Sequence, residues 1–383
     1  MKALVIGGTG PTGPLILKGL LERGYKTTIF HRGAHEIDLP SEIEHIHGDP
    51  HFVETINESL GSHTFDLVIG MYGRLRHVAE AMKGRTERLI CAGGVGVYKS
   101  WFDPTQPFSD DSFLIPEHAP LTCEPEVNET EMDGFSTFSY LMVKSELSVI
   151  ENHHLGFYNT TLFRFPMIYG PRQLIPGEWS IMRRILDKRK KIIIPDCGLA
   201  FESRGYSENM AHGVLLAIDH PEESAGQVYN IADEDVLSVI EIIEIISNEM
   251  DHKFEYVNMP ASIAAPSIPY GMPIRPFAGI NGMLHHRVLD INKIKDHLGY
   301  RDLYKAKDGI KKTVQYYLEN QPEKGGDIEK RLNDRFDYEN EDKLICEYQK
   351  SCKTLSKIYT VDEWRHPYPH PKKPGMKLDQ SGR

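Results

Sequence analysis

The run Met1-Lys2-Ala3-Leu4-Val5-Ile6-Gly7-Gly8-Thr9-Gly10-Pro11-Thr12-Gly13 opens the chain and restricts its fold more than any other segment. Four apolar residues in a row, Ala3 to Ile6, read as a buried parallel strand. Glycines follow at 7, 10 and 13, and then an apolar periodic segment, Leu15-Ile16-Leu17 with Leu20 and Leu21. Strand, glycine-rich turn and helix together seat a dinucleotide pyrophosphate on a helix N-terminus. The first glycine permits the tight turn. The second lets backbone approach the phosphates, and the third lets helix and strand pack closely. Thr9, Pro11 and Thr12 complete the candidate cofactor-binding turn.

The pattern continues. Lys26–Phe30, Ile43–His47, Phe65–Gly70 and Arg88–Ala92 read as further strands, with helical periodicity at 14–23, 51–60 and 74–83. Thr160–Arg164 and Gln227–Ile231 look like later strands of the same sheet. Alternation of this kind implies an α/β fold with a doubly wound parallel Rossmann sheet. The expected organisation is a dinucleotide-binding domain over 1–170 and 205–235. A smaller, mixed C-terminal substrate domain follows over 171–204 and 236–320, and a polar C-terminal extension over 321–383. Residues 102–131, rich in Pro, Asp and Glu, read as an irregular loop. Residues 238–250 read as an apolar helix, and the Pro-, Gly- and Met-rich stretch 259–284 as a cover for a cleft. In the extension, Leu332, Phe336, Leu344, Ile345 and Tyr348 could share one helical face, ahead of an extended or disordered Pro367–Pro371.

Composition narrows the function classes. At 383 residues the chain can bury a sizeable core. A net charge of −11 disfavours a general nucleic-acid surface. Five cysteines without paired spacing offer neither a disulfide framework nor a zinc site, which fits a reducing, cytoplasmic setting. The first strand starts at residue 3, leaving no room for a secretory signal, and no apolar run approaches ~18 residues, so no membrane span is expected.

The second strand ends Phe30-His31-Arg32-Gly33, where an NAD site usually places an acid for the ribose 2′-hydroxyl. Arg32 suits a 2′-phosphate instead, so NADP(H) is favoured over NAD(H), the alternative being a solvated arginine. Asp49, after the next strand, is placed to bond an adenine amino group. His45, His47 and His51 lie nearby, but no acid or cysteine completes a ligand set and no metal is expected.

Tyr140 and Lys144 stand four apart in a helical segment and share a face. An ammonium beside a phenol favours phenolate, which lets the phenol exchange a proton with a substrate hydroxyl or carbonyl during hydride transfer.

Together Gly7, Gly10 and Gly13, Asp49, and Tyr140 with Lys144 resemble the extended short-chain dehydrogenase/reductase family, which includes sugar-nucleotide epimerases and dehydratases. The resemblance covers roughly residues 1–320. It implies an NADP(H)-dependent oxidoreductase or epimerase, with Tyr140 as acid/base and Lys144 both tuning it and binding cofactor. Arg164–Arg172 is similar to the strand and turn that close over the nicotinamide, which adds Pro166 and Ile168 to the cofactor residues. Gly94, Tyr98, Arg172 and Arg204 fall at substrate-side positions, Arg204 where such enzymes hold a nucleotide diphosphate. The resemblance also implies a small polar or nucleotide-linked substrate and a possible homodimer.

One departure stands out. The family ends its fifth strand with Ser-Ser/Thr-x-x-Val-Tyr, whereas this chain reads Gly93-Gly94-Val95-Gly96-Val97-Tyr98. The missing hydroxyl donor typically contributes ~10²–10³ in rate. Three alternatives stay open. Ser100, Ser136, Thr137 or water fills in, or the glycines admit an unusual substrate. In the third, the cofactor serves a non-redox role: isomerase or cyclase chemistry, or regulation and RNA binding. The basic run Arg183-Arg184…Lys188-Arg189-Lys190-Lys191 is the feature that would contact phosphate or RNA. Cys91 reads as core, Trp101 and Trp179 as packing anchors, and His285-His286-Arg287 as a loop able to meet a substrate anion.

Overall fold

Side chains of the first strand, β1 (Lys2–Ile6), divide between two apolar clusters: Ala3 and Val5 enter one face of the sheet, Leu4 and Ile6 the other. Both faces are therefore covered, as a continuous apolar strand requires. The structure is a computed structural model that describes residues 1–33, 37–71, 73–102, 114–122, 134–264, 285–332, 334–358 and 373–375, with only the backbone at 134–136.

After β1 come α1 (Gly13–Glu22), β2 (Lys26–His31), β3 (Glu44–His47), α2 (Val53–Leu60), β4 (Leu67–Met71), α3 (Leu75–Ala81) and β5 (Arg88–Gly94). Next are α4 (Lys99–Phe102), β6 (Leu114–Ile115), α5 (Gly134–His154), β7 (Asn159–Phe165), β8 (Met167–Tyr169), α6 (Gly177–Leu186), β9 (Lys191–Pro195), β10 (Arg204–Tyr206), α7 (Ser207–Asp219) and β11 (Gln227–Asn230). Then follow α8 (Val239–Glu249), β12 (Glu255–Met259) and, after a short turn of helix, β13 (Val288–Leu289).

Seven strands form one sheet in the order β11-β7-β5-β4-β1-β2-β3, every neighbouring pair parallel. The chain winds outward from β1 through β2 to β3, then returns to β4 on the other side. That reversal opens a crevice at the carboxyl ends of β1 and β4, where ligands of doubly wound sheets bind. The Rossmann sheet expected from the sequence is thus present, with both late strands included.

A separate core lies beyond the sheet. Trp179 and Met182 of α6, Ile242 and Ile246 of α8, and Ile310 and Val314 of the helix Ala306–Glu319 pack together there. Short parallel pairs β8–β10 and β9–β12 flank it.

The chain divides into two compact units, Met1–Asp337 and Tyr338–Arg383. The beginning of the expected extension therefore belongs to the first unit. Glu329 there accepts hydrogen bonds from Trp179 Nε1 (3.0 Å) and Arg183 Nε (2.9 Å), and Asp334 accepts from Arg184 NH1 at 2.6 Å. Two expectations are corrected here. Arg183 and Arg184 are spent internally, leaving chiefly Lys188 and Lys190 of the basic run at the surface. The single helical face through Leu332, Phe336 and Tyr348 is broken as well. One helix ends at Leu332, Phe336 adopts φ 49°, and a new helix, Tyr338–Leu355, begins in the second unit.

Of the irregular segments expected at 102–131 and 259–284, residues 103–113, 123–131 and 265–284 lie outside the described residues, as do Pro367–Pro371. The described remainder includes β6, which pairs with β13.

Candidate cofactor and substrate cavity

The turn after β1 shows why glycine stands where it does. Gly7 adopts φ 89°, and a Cβ there would lie 2.8 Å from the Met71 carbonyl oxygen. A Cβ on Gly13 would fall 1.9 Å from the Gly8 carbonyl oxygen, so helix and turn can approach this closely only without a side chain. Nothing lies within 4 Å of a Cβ built on Gly10: that side of the turn is open for a ligand. Pro14 occupies the start of α1, where its missing N–H costs nothing, and the first turn carries no acid to oppose an anion. These residues fit a dinucleotide pyrophosphate.

The turn is one end of a cavity of about 700 Å³. Gly7, Thr9, Gly10, Pro11, Thr12, Gly13, Arg32, Gly94, Pro166 and Ile168 all line it. The structure thus brings the sequence-derived cofactor turn, the β2 arginine, the end of β5 and the segment after β7 to one space. Asp49, Tyr98, Tyr140, Lys144, Arg172 and Arg204 are not among its lining residues.

Each of those six has another placement. Asp49 accepts hydrogen bonds from the backbone and ring nitrogens of His51, at 3.0 and 2.6 Å. Slight burial raises its carboxyl pKa, but the His51 bonds outweigh this and hold it below the usual carboxylate range. Tyr98 is fully buried, donating to Asn230 Oδ1 (2.6 Å) and accepting from Arg164 NH1 (2.8 Å). Burial pushes the pKa of that phenol well up, and its two hydrogen bonds tie it to the interior. Arg204 is 7% exposed, with NH2 2.6 Å from Glu178 Oε1 and its guanidinium 4.5 Å from the Tyr169 ring centre. An arginine so enclosed does not reach a diphosphate in the cavity. Arg172 is exposed on the turn after β8, at φ 64°.

Tyr140 and Lys144 do pair, the ammonium lying 4.6 Å from the phenol ring centre. Tyr140 is buried and Lys144 exposed. The side of α5 that lines the cavity carries Phe138 and Met142 instead. Two residues along a helix is a turn of about 200°, so the pair stands on roughly the opposite side from Phe138 and Met142. The helix is held in this rotation by Glu146, one turn beyond Met142, whose carboxylate pairs with Arg164 of β7 in a buried ion pair.

Gly94 completes this wall. A Cβ there would lie 2.9 Å from the Met142 methyl carbon, so the thioether side chain fills the space a serine or threonine would claim. Of the substitute hydroxyls, Ser100 is buried and neither it nor Thr137 lines the cavity, while the Ser136 side chain lies outside the described residues.

Sequence reasoning missed Arg74 and Glu202 among the lining groups, whereas Arg287 lies in the loop expected to meet a substrate anion. Arg74 joins Arg32 at the turn end and stacks 5.2 Å from the Phe52 ring centre. At the far end Arg287, 4% exposed, pairs with Glu202 at 2.8 Å and lies 5.5 Å from the Trp101 ring centre, and all three line the cavity. No local motif marks Glu202, because the backbone bridge joining it to Arg287 spans distant chain segments. Cys91 is core, and burial pushes its thiol pKa up. Trp179 is core as well. No described helix is long and apolar enough to cross a membrane.

No protein-family model matches the sequence. The uncharacterized protein y4nL of Sinorhizobium fredii is 28% identical over 172 residues, 42% of this chain and 47% of its own length. The chloroplast stem-loop binding protein of 41 kDa b from Arabidopsis thaliana is 25% identical over 251 residues, 61% of this chain and 59% of its own. A 3beta-hydroxysteroid-dehydrogenase/decarboxylase (isoform 1) of Arabidopsis thaliana is 25% identical over 189 residues, 43% of this chain and 42% of its own. The chain spans about half the length of the curated relatives it matches. Among solved structures, UDP-glucose 4-epimerase from Thermotoga maritima superposes with a TM-score of 0.63 at 17% identity, covering 84% of this chain and 100% of that one. The dTDP-glucose 4,6-dehydratase from Bacillus anthracis, in complex with NAD, gives 0.61 at 16% identity over 84% and 97%. The fold of this chain is the Rossmann-type α/β fold of these epimerase and dehydratase structures.

Proposed function

We propose that the protein is an NAD(P)-dependent oxidoreductase or epimerase that acts on a hydroxyl or carbonyl of a small polar or nucleotide-linked substrate. The observation that carries this reading is the single cavity running from the Gly7–Gly13 turn past Gly94 to Trp101, Glu202 and Arg287. Cofactor-sized and substrate-sized spaces are continuous, as hydride transfer requires. Gly7 and Gly13 hold the turn and the N-terminus of α1 against the pyrophosphate. NADP(H) is the preferred cofactor, because Arg32 and Arg74 both line the turn end and can meet a 2′-phosphate. The cofactor, when bound, supplies or accepts hydride. Tyr140 is the proposed acid/base and Lys144 its tuner, supported by the ammonium–phenol pairing and by the resemblance. The α5 wall of the cavity is formed by Phe138 and Met142, so the role of Tyr140 is decided by the Tyr140→Phe variant.

A second reading is favoured by Met142 standing in front of Gly94: cofactor bound with no hydroxyl donor among the described residues of that wall, serving isomerisation, cyclisation or a regulatory role. The name of the stem-loop binding relative extends this reading to RNA. Within this chain the burial of Arg183 and Arg184 weakens the basic run on which an RNA contact would rest.

Titration of the purified protein with NADPH and with NADH tests the shared core of both readings. Saturable binding, tighter for NADPH, is expected. Failure to bind either nucleotide sinks both, while binding with no reduction of any carbonyl in a broad substrate panel favours the second.

A further inference from the structure

Three imidazoles stand together at the open edge of the sheet. His31 ends β2, and His45 and His47 belong to the edge strand β3. The parallel register sets His31 beside His47 and Ile29 beside His45, and strand alternation puts His45 and His47 on one face. One ligand nitrogen from each of the three lies within 4.8 Å of the others. We propose that His31, His45 and His47 form a binding site for a divalent late first-row transition-metal ion, of which Zn²⁺ is the representative.

The spacing carries the argument. His31 Nε2 and His45 Nδ1 are 3.3 Å apart. Two nitrogens bound at about 2.0–2.1 Å to a tetrahedral ion stand about 3.4 Å apart, so this pair is already at chelating distance. The third ligand needs to close by at most about 1.4 Å from the 4.8 Å limit. A ring on an exposed edge strand makes such a shift by side-chain rotation alone. His31 is buried while His45 and His47 are exposed, which gives one anchored ligand, two adjustable ones and an open approach for the ion. Three imidazoles leave a fourth position for water, and all-nitrogen donation selects Zn²⁺, Co²⁺, Ni²⁺ or Cu²⁺ over Mg²⁺ or Ca²⁺.

The proton balance is simple. The Gly33 N–H donates to His31 Nδ1 at 3.1 Å, so in the metal-free protein the ring proton sits on Nε2 and is shared with His45 Nδ1. The ion takes that proton's position. The proton moves to Nδ1 of the same ring, and the Gly33 amide, on a glycine at φ 74°, swings away from it. The sequence placed His51 near His45 and His47 and gave no reason to expect a metal. That ring is bound to Asp49, and His31, from the neighbouring strand, takes its place.

The test uses the full chain without an affinity tag. Zn²⁺ is titrated calorimetrically, and Co²⁺ is followed by its visible absorption. One ion per chain at micromolar affinity or tighter, with the intense bands of four- or five-coordinate Co²⁺, is expected. His31→Gln, His45→Gln and His47→Gln should each weaken Zn²⁺ by ~10-fold or more, while His51→Gln and His63→Gln leave it unchanged. Zn²⁺ should raise the melting temperature of the wild type but not of His45→Gln/His47→Gln, whose exposed positions leave the fold intact. Millimolar affinity, a six-coordinate Co²⁺ spectrum, or equal binding by the wild type and the His45→Gln/His47→Gln variant would overturn the proposal.

Discussion

The two ends of the central cavity are built differently. At the Gly7–Gly13 turn the ligand-facing surface is backbone, and its shape is set by positions where no Cβ fits: φ 89° at Gly7 and a 1.9 Å clash at Gly13. At the wall formed by Gly94, Phe138 and Met142 the surface is side chain, and its chemistry depends on how α5 is rotated about its axis. A backbone site is written in local sequence, residue by residue. A side-chain wall is decided by contacts elsewhere, here by the Glu146–Arg164 ion pair beneath the helix. The same motif vocabulary therefore has more force at one end of the cavity than at the other.

Substitutions can strain this contrast, beginning with the largest effect. Tyr140→Phe should lower turnover by ~10²–10⁴ while NADPH affinity measured by fluorescence stays within error of wild type. A fully active variant would mean that the wall of Phe138 and Met142 works without the Tyr140 phenol. Gly13→Ala tests the backbone end. Its methyl meets the Gly8 carbonyl, and dinucleotide affinity should fall by ~100-fold or more, with a lower melting temperature. Wild-type binding in that variant would show that the turn adapts as freely as a side-chain wall does.

Arg32→Ala should weaken NADPH by ~10–100-fold, the range for one charged hydrogen-bonded contact, and leave NADH nearly unchanged. Equal losses for both nucleotides would assign Arg32 to the pyrophosphate or the surface and remove the NADP(H) preference.

The smallest effect is a pH dependence that comes from neither end. Burial pushes the carboxyl of Asp233 up to about 6, against opposing hydrogen bonds from Asn209, Tyr206 and Tyr169. Burial, with the charge of Asp233, pushes Asp302 up to about 7. Both folded values lie above the unfolded one, so the folded state holds these protons more tightly. The stabilisation is complete below about pH 4 for these two groups and is lost as pH rises through about 6 and 7. Thermal melts should therefore drop by a few degrees between about pH 5 and about pH 8. A flat or rising profile over that window would show the two carboxyls to be ionised throughout at no cost.

Much of the architecture was legible because parallel strands buried on both faces are continuous apolar runs. Leu4 and Val5, or Val68 and Ile69, point to opposite faces yet are all core. The alternation of strand and helix gave the doubly wound parallel class, while the strand order and its reversal beside β1 are read from the structure. Side-chain assignments drawn from resemblance were less secure. Arg204, assigned to a substrate diphosphate by the resemblance, is enclosed by Glu178 and Tyr169, residues outside its own short motif. Tyr98 was likewise claimed by Asn230 and Arg164. Glu202 could not be read at all, since its partner Arg287 is 85 residues away.

The sequence by itself determined a doubly wound parallel sheet and a glycine turn shaped for a dinucleotide, because both are consequences of local backbone stereochemistry and of apolar runs. Only the tertiary structure decided which side chains reach the cavity. It turned Phe138 and Met142 inward, drew Arg183, Arg184 and Arg204 into buried ion pairs, and brought His31 to His45 and His47. A side chain's direction is set by what packs against it, and those partners lie far away along the chain.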